Sequence, residues 1–152
     1  SGTLSKALGS LGGYVAGPKV LRAHLIQNSR AFIYATALPA SCVAAALEAL
    51  RVLQSGAGPL RRLRENRAAL AHGLNAQGWS WGASQSPILP VIVGKAEAAV
   101  ALEQRLWDAG YYVPAMRPPT VPAGSCRLRV TVGAGHQPEH IAGLLRALGT
   151  KA

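Results

Sequence analysis

A lysine close to the beginning of the chain has neighbours that suit chemistry at its amine. Lys6 follows Ser1-Gly2-Thr3-Leu4-Ser5, and no acidic residue occurs within ten positions of it. Because the neighbouring residues are small or hydroxylated, the amine could approach a ligand closely while hydroxyl groups hold an anion. A lysine that bonds covalently to a carbonyl compound beside a phosphate needs such surroundings. The alternative is an ordinary lysine in a flexible loop rich in glycine and serine.

A predicted strand at residues 127–132 carries two arginines on one face. Side chains alternate along a strand, so Arg127, Arg129 and Thr131 should point away from the core while the apolar residues between them point inward. Two guanidinium groups on a rigid strand could bind a carboxylate in bidentate fashion. The alternative is a solvent-facing strand whose charges discourage pairing with another chain.

The loop before that strand, residues 117–124, has the sequence RPPTVPAG. Three prolines restrict its backbone, and rigid loops often position polar groups for binding. Arg117 and Thr120 are therefore candidates for contact with a ligand.

Histidine and cysteine give little sign of a metal or redox site. His136 follows a glycine-rich turn and is expected to cap the last helix rather than line a cleft; three others are expected on helix surfaces: His24, His72 and His140. No pair has the spacing of metal ligands, so no metal site is predicted. Cys42 and Cys126 lie in apolar surroundings without CxxC spacing, which argues against a disulfide framework and favours a cytoplasmic protein.

The chain is basic, with 16 lysines and arginines against 6 acidic residues. Nucleic acid is the first partner that such a charge suggests. The arginines are spread along the chain, however, and no aromatic residues alternate with the one cluster to stack on bases: Arg61, Arg62, Arg64 and Arg67. We therefore expect a solvated helix face, with a small anionic substrate as the functional alternative and nucleic acid as an unlikely partner.

The sequence contains no uninterrupted run of about 20 apolar residues, so no membrane-spanning helix is predicted. The first residues also lack the pattern of a signal peptide.

Proline, glycine and the spacing of apolar residues divide the chain into elements. Helices are predicted to begin near residues 18, 39, 59, 96 and 138, and extended segments are predicted at 12–17, 31–37, 86–93, 111–116 and 127–132. Pro90 predicts that its strand is an edge strand or contains a bulge. The residues after about Gly78 suit a small α+β domain with helices on one face of a short sheet. The predicted elements of the first third are too few to form a complete domain, which indicates that they belong to a larger one.

Several of these segments together resemble one family. The runs GTLSKALG at 2–9, GGYVAG at 12–17, FIYATALP at 32–39 and RPPTVPAG at 117–124 resemble the α-oxoamine synthases, which are fold-type-I enzymes dependent on pyridoxal 5'-phosphate (PLP). The resemblance covers essentially the whole chain. It implies an α/β fold in which residues 1–55 are the end of the large cofactor-binding domain with an interdomain helix, and residues 56–152 are the small α+β domain.

The resemblance also implies roles for residues near the cofactor. Lys6 would hold PLP covalently and then act as the base that removes the α-proton of the amino acid. Thr3 would bind the cofactor phosphate. Thr36 would reach the phosphate of the partner subunit's cofactor, because the sites of this family lie at the interface of a homodimer.

For the substrates, the resemblance implies that Arg129 clamps the amino-acid carboxylate with help from Arg117, and that Thr120 contacts substrate. The RPPTVPAG run is most similar to the family member that condenses L-alanine with a pimeloyl thioester, of coenzyme A or of acyl carrier protein, with loss of carbon dioxide, in biotin biosynthesis. Alternatives are the glycine C-acetyltransferase and 5-aminolevulinate synthase types, a catalytically inert fragment, and a basic nucleic-acid-binding module.

One departure from the family pattern is large. The family's aspartate for the pyridine nitrogen precedes the lysine in sequence, and here only five residues precede Lys6. Asp108 is the single aspartate and lies in a predicted helix of the small domain. The chain therefore looks like the C-terminal portion of such an enzyme, and we expect it to be inactive alone.

Overall fold

The computed structural model describes residues 1–56 and 58–151. The chain forms two compact units, Ser1–Ala57 and Gly58–Ala152. The division lies two residues after the boundary that the sequence predicts, between 55 and 56.

The first unit consists of a short hairpin and three helices: β1 (Gly2–Thr3), β2 (Gly13–Tyr14), α1 (Lys19–Asn28), α2 (Arg30–Ile33) and α3 (Ala40–Gln54). β1 and β2 are antiparallel. Helix α3 begins directly after Pro39, as predicted, because proline suits the start of a helix. Among the described residues of this unit, Ala46 is the one buried hydrophobic side chain. Most of its large apolar side chains therefore face outward.

Two expectations for this unit are wrong. The segment predicted to be extended at 31–37 begins with helix α2, in which the Ser29 carbonyl accepts the N–H groups of Phe32 and Ile33 at 3.0 and 2.9 Å. These local bonds outweigh the strand preference of aromatic and β-branched residues, which depends on pairing with another strand. The strand predicted at 12–17 is reduced to Gly13–Tyr14 because its partner β1 has only two residues.

The second unit packs three helices against a three-stranded sheet: α4 (Gly58–Ala76), β3 (Ile88–Gly94), α5 (Ala96–Asp108), β4 (Ala115–Met116), β5 (Cys126–Thr131) and α6 (Pro138–Leu148). The sheet is antiparallel in the order β3-β5-β4, so β5 is central. Leu128 and Val130 of β5 are buried while Arg129 and Thr131 are exposed, which confirms the predicted alternation. One face of the sheet is thus covered by the core and the other is open.

The strands of this unit show how proline shapes a sheet. β3 is an edge strand, and its pairing with β5 is irregular between Ile92 and Gly94, as Pro90 predicts. The strand predicted at 111–116 contains only Ala115–Met116. The Tyr111 N–H is used at the end of α5, where it donates to the Leu106 carbonyl at 2.8 Å, and Pro114 has no N–H to pair.

The helices of the second unit follow their apolar periodicity. Ile141, Leu144 and Leu148 of α6 are buried, as are Leu70 and Leu74 of α4. Within residues 1–56 and 58–151, no helix has the length and apolar character required to cross a membrane.

Candidate active site

Lys6 lies in the loop that joins β1 to β2, with its side chain exposed. The loop is held by backbone hydrogen bonds: Leu4 N–H to the Gly12 carbonyl, Ser10 N–H to the Leu4 carbonyl (both 2.9 Å), and Gly9 N–H to the Lys6 carbonyl at 3.1 Å. Lys6 therefore begins a hydrogen-bonded turn. This arrangement favours a lysine at a defined position over the alternative of a lysine in a flexible loop.

Two hydroxyl groups precede the lysine. The Thr3 Oγ1 and Ser5 Oγ atoms are 2.7 Å apart, and Thr3 Oγ1 accepts the Ser5 backbone N–H at 3.1 Å. Both residues are exposed. The pair offers hydroxyl groups that can donate to an anion close to the amine in sequence.

Thr36 lies in the irregular segment between α2 and α3 and is exposed. The end of this segment packs against the lysine loop: a Cβ at Gly12, whose φ is +118°, would lie 2.7 Å from the Leu38 Cδ1 atom. The Ser10 hydroxyl also donates to the Cys42 carbonyl of α3 at 2.6 Å. The loop of Lys6, the segment that bears Thr36 and the start of α3 are thus connected within one unit.

The two arginines of β5 have different surroundings. The Arg127 Nε–H donates to the Ser125 carbonyl at 2.9 Å, and the residue is half-buried. Arg129 is exposed and lines a cavity of about 660 Å³ between β5, α6 and the segment 110–114. The predicted pair is therefore divided, and Arg129 is the one that faces a cavity.

The loop 117–124 is folded tightly, and its two candidate residues are exposed. The Thr120 and Val121 N–H groups donate to the Arg117 carbonyl at 2.9 and 3.3 Å. Arg117 lines a shallow depression with Glu97 and Val100 of α5, which is separate from the cavity that Arg129 lines. That Arg117 assists Arg129 remains a prediction.

His136 is not the cap of the last helix, so that expectation is wrong. Gln137 occupies the N-cap position of α6 and forms a capping box with His140. His136 instead lines the cavity, and its Nδ1 accepts the Gly133 N–H at 3.1 Å. The ring is used to close a tight turn before the helix begins, which leaves the cap to the next residue.

Asn66 is a buried polar residue that the sequence interpretation missed. Its side chain is 9% exposed and donates to the carbonyls of Gly133 and His136 at 3.0 and 2.8 Å. A signal was present, because Asn66 lies four residues before Leu70 on the apolar stripe of α4. A polar residue on that stripe indicates a buried hydrogen-bonding role.

Two of the four arginines in the α4 cluster, Arg62 and Arg67, bind other segments of the second unit. The half-buried Arg67 donates to the carbonyls of Ser84 and Ser86, and its guanidinium lies 5.7 Å from the centre of the Trp81 ring. Arg62 donates to the Ala134 carbonyl at 3.3 Å. These contacts support a structural interpretation over a nucleic-acid surface. No group of three metal-binding side chains is found in the described ranges 1–56 and 58–151.

The sequence pattern of the family described as aminotransferase class I and II matches residues 1–148. The chain belongs to that aminotransferase family. A putative 8-amino-7-oxononanoate synthase from Desulforudis audaxviator is 51% identical over 98% of the chain. The chain spans 38% of that relative's length.

Solved structures of fold-type-I enzymes align with this member of the aminotransferase class I and II family. A structure of SPT (serine palmitoyltransferase) with PLP has a TM-score of 0.90 and 35% identity, over 97% of this chain and 37% of that one. The 8-amino-7-oxononanoate synthase from Francisella tularensis has a TM-score of 0.84 and 27% identity, over 96% and 43%. The predicted fold class, a fold-type-I PLP-dependent transferase of mixed helix and sheet, is confirmed, as is the resemblance to the α-oxoamine synthases.

Proposed function

We propose that this chain is the part of a cytoplasmic 8-amino-7-oxononanoate synthase that carries the cofactor lysine and the small domain. The reaction would be the PLP-dependent condensation of L-alanine with a pimeloyl thioester, of coenzyme A or acyl carrier protein, with release of carbon dioxide and the free thiol. The observation that carries this proposal is Lys6, an exposed lysine on a hydrogen-bonded turn that follows the hydroxyl residues Thr3 and Ser5 in sequence. The high identity to the Desulforudis audaxviator relative supports the choice of family member.

The residues of the first unit fit PLP. The Lys6 amine suits a covalent link to the cofactor aldehyde, and the hydroxyls of Thr3, Ser5 and Thr36 suit its phosphate. Glu48 is the one acidic residue among the first 57, against five lysines and arginines, so the surrounding charge favours an anionic cofactor. When bound, PLP withdraws electrons from the α-carbon of the amino acid, and the protein supplies orientation and charge.

Other residues would bind the amino acid and move its proton. The Lys6 amine, when it is not linked to the cofactor, would be the base that takes the α-proton. Arg129 and Arg117 both present exposed guanidinium groups that can hold a carboxylate in one orientation, and Thr120 lies on the same tight loop as Arg117. Holding the substrate in this way reduces the entropic part of the barrier.

A complete site would need groups from outside this chain. Asp108, the single aspartate, accepts a hydrogen bond from Gln104 at 2.8 Å on the exposed surface of α5. It is therefore already used within that helix. We propose that the partner of the pyridine nitrogen comes from the part of the relatives that this chain does not span, and that the working enzyme is a homodimer.

The first experiment tests where the cofactor attaches. The chain is incubated with PLP, reduced with borohydride and mapped by mass spectrometry. The label is expected on the Lys6 peptide and should be lost in Lys6→Ala. Lys19→Ala is the matched control, because Lys19 is the other lysine of the first unit and lies on α1. Label that stays in Lys6→Ala, or falls equally in Lys19→Ala, contradicts the proposal.

The second experiment tests the substrates. A chimera is made in which this chain replaces the matched segment of the Desulforudis audaxviator protein. Release of carbon dioxide is measured with pimeloyl-CoA and a panel of L-alanine, glycine and L-serine. The highest kcat/KM is expected with L-alanine.

A second candidate is favoured by the structural comparison. The SPT structure aligns with a higher TM-score than the Francisella tularensis enzyme, 0.90 against 0.84. A sibling α-oxoamine synthase that uses another amino acid and acyl donor would show a preference for L-serine or glycine in the same panel. That result would keep the cofactor assignment and replace the substrate assignment.

A further inference from the structure

A carboxylate on α5 binds the edge of the sheet in the second unit. Glu103 is half-buried, and its Oε1 atom accepts the Ala115 N–H of β4 at 3.0 Å. β4 is an edge strand of two residues that pairs with β5. So short a strand makes few hydrogen bonds to its neighbour. The bond to Glu103 therefore gives β4 a second attachment, to a helix.

β4 lies in the chain between segments that carry the residues proposed to bind the amino acid. Just before it, the Pro114 carbonyl accepts the Arg129 N–H at 2.9 Å. Just after it, Arg117 begins the tight turn that bears Thr120. A shift of β4 would therefore change the distance between Arg129 and that turn.

The same face of α5 also lies beside Arg117. Val100 is three residues before Glu103, which makes the two side chains neighbours on the helix surface. Val100 and Arg117 line the same shallow depression. α5 thus lies against the first residue of the loop 117–124 and, through Glu103, binds the strand that leads into it.

The hydrogen bond to Ala115 is the interaction that the Glu103 carboxylate makes. In the part of the chain that the structure describes, no lysine or arginine forms an ion pair with it. Half-burial of a carboxylate costs solvation free energy, which a charge-assisted hydrogen bond from an N–H group offsets. Because the donor is a backbone group, this bond fixes the path of the chain at β4.

We propose that Glu103 is a positioning residue for the amino-acid substrate. It acts through Ala115, by holding β4 so that Arg129 and the turn from Arg117 to Thr120 keep the spacing that binds the α-carboxylate. Glu103 itself does not touch the substrate. This inference rests on the proposed function, because it takes these three residues as the ones that bind the amino acid.

The test uses the chimera with the Desulforudis audaxviator protein, loaded with PLP. Glu103→Met removes the acceptor and keeps a similar helix propensity, whereas Glu103→Gln keeps an oxygen that can accept the Ala115 N–H. Gln104→Met is the matched control at the neighbouring position. The Gln104 side chain is exposed and donates to Asp108 of the same helix, so its loss should leave β4 in place.

Hydrogen exchange measured by mass spectrometry shows whether β4 is loosened. The Ala115 amide should exchange about tenfold faster in Glu103→Met, because the loss of one hydrogen bond lowers the free energy of local opening by that factor. Its exchange should stay within about twofold of the parent in Glu103→Gln and Gln104→Met. Unchanged exchange of the α6 amides shows that the second unit of each variant is folded.

Steady-state kinetics separate positioning from stability. In Glu103→Met the KM for L-alanine should rise about fivefold while kcat per PLP-loaded site changes less than about twofold, because the carboxylate contacts act equally on bound substrate and transition state. Glu103→Gln should keep the KM within about twofold of the parent. A purely structural role would lower the fraction of PLP-loaded sites and leave the KM of the remaining sites unchanged.

Three results would overturn the proposal: an unchanged KM in Glu103→Met, an equal rise in Glu103→Gln or Gln104→Met, or unchanged exchange at Ala115. If Glu103→Met does not fold, Glu103→Ala, which also lacks the acceptor, takes its place. L-alanine, glycine and L-serine share the α-carboxylate, so the KM effect is expected with whichever of them the chimera prefers. A parent chimera that takes no PLP at Lys6 would instead contradict the proposed function, and this inference with it.

Discussion

At the scale of single residues, the candidate residues of each unit lie on backbone segments that hydrogen bonds hold, although their side chains have few contacts of their own. Lys6 is exposed, yet the turn that carries it is closed by three backbone bonds. Thr120 lies in a tight turn that begins at the Arg117 carbonyl. An exposed side chain on such a segment is accessible to ligands, while the backbone position from which it extends is fixed. This combination suits the positioning of a substrate.

The two candidate arginines can be ranked by variants that keep the charge. In the chimera with the Desulforudis audaxviator protein, Arg129→Lys should raise the KM for L-alanine about tenfold or more, because lysine cannot reproduce the bidentate contact. Arg117→Lys should have a smaller effect if Arg117 only assists. Steady-state kinetics measure both, and Arg127→Lys is the control. A larger effect at Arg117 would assign the clamp to that residue.

Gly143 marks a close approach between α6 and the segment before β4. A Cβ built there would overlap the Tyr111 hydroxyl, and no positive φ is involved. Gly143→Ala should destabilise the second unit by about 1–3 kcal/mol because the overlap outweighs the better helix propensity of alanine. In a Tyr111→Phe background the cost should fall. Urea unfolding followed by tryptophan fluorescence measures this, since all three tryptophans lie in this unit.

Gly135→Ala is the control for that measurement, since a Cβ there has no neighbour within 4 Å. Its effect should stay within about 0.5 kcal/mol. An equal cost at positions 143 and 135, or no relief in the Tyr111→Phe background, would contradict the packing argument.

At the scale of elements, the sequence predicts the helices and strands that show a local periodicity of apolar residues. It does not predict the extent of elements that depends on contacts with other segments. Helices α3 to α6 were predicted because apolar spacing and proline starts are local signals. The alternation of β5 was equally readable. The short extent of β4 could not be predicted in this way, because it depends on the hydrogen bond from the Tyr111 N–H to the end of α5. Lys6 and the RPPTVPAG loop were found as motifs, whereas the division between Arg127 and Arg129 depends on a contact with Ser125 that no pattern reveals.

Helix α4 anchors the connection between β5 and α6 through Asn66. Asn66→Leu should destabilise the second unit by about 1–3 kcal/mol, because the Gly133 and His136 carbonyls lose their donor. Asn75→Ala on the same helix removes one exposed bond from Trp81 and should cost less than about 1 kcal/mol. Urea unfolding measures both. If both variants lost the same free energy of unfolding, the buried hydrogen bonds of Asn66 would contribute no more to stability than the exposed bond of Asn75.

At the scale of the whole molecule, the two units differ in how much core they have. The second unit buries a continuous cluster that includes Leu89, Leu106 and Leu128. The first unit buries Ala46 among its described hydrophobic residues and exposes large side chains, for example Phe32 at 63% and Val20 at 75%. Exposed apolar area on this scale is characteristic of an interface. The relatives are longer than this chain, and we expect their additional residues to cover this surface.

Hydrogen exchange measured by mass spectrometry tests that expectation. In the chain alone, amides of β5 and α6 should exchange slowly while those of α1 and α2 exchange rapidly, because local opening there exposes little buried surface. In the chimera, the α1 and α2 amides should exchange at least about tenfold more slowly, since their apolar side chains become covered. The α6 amides serve as the internal control and should change little. Equal exchange of α1 in the two proteins would mean that the apolar surface of the first unit stays open in the longer protein.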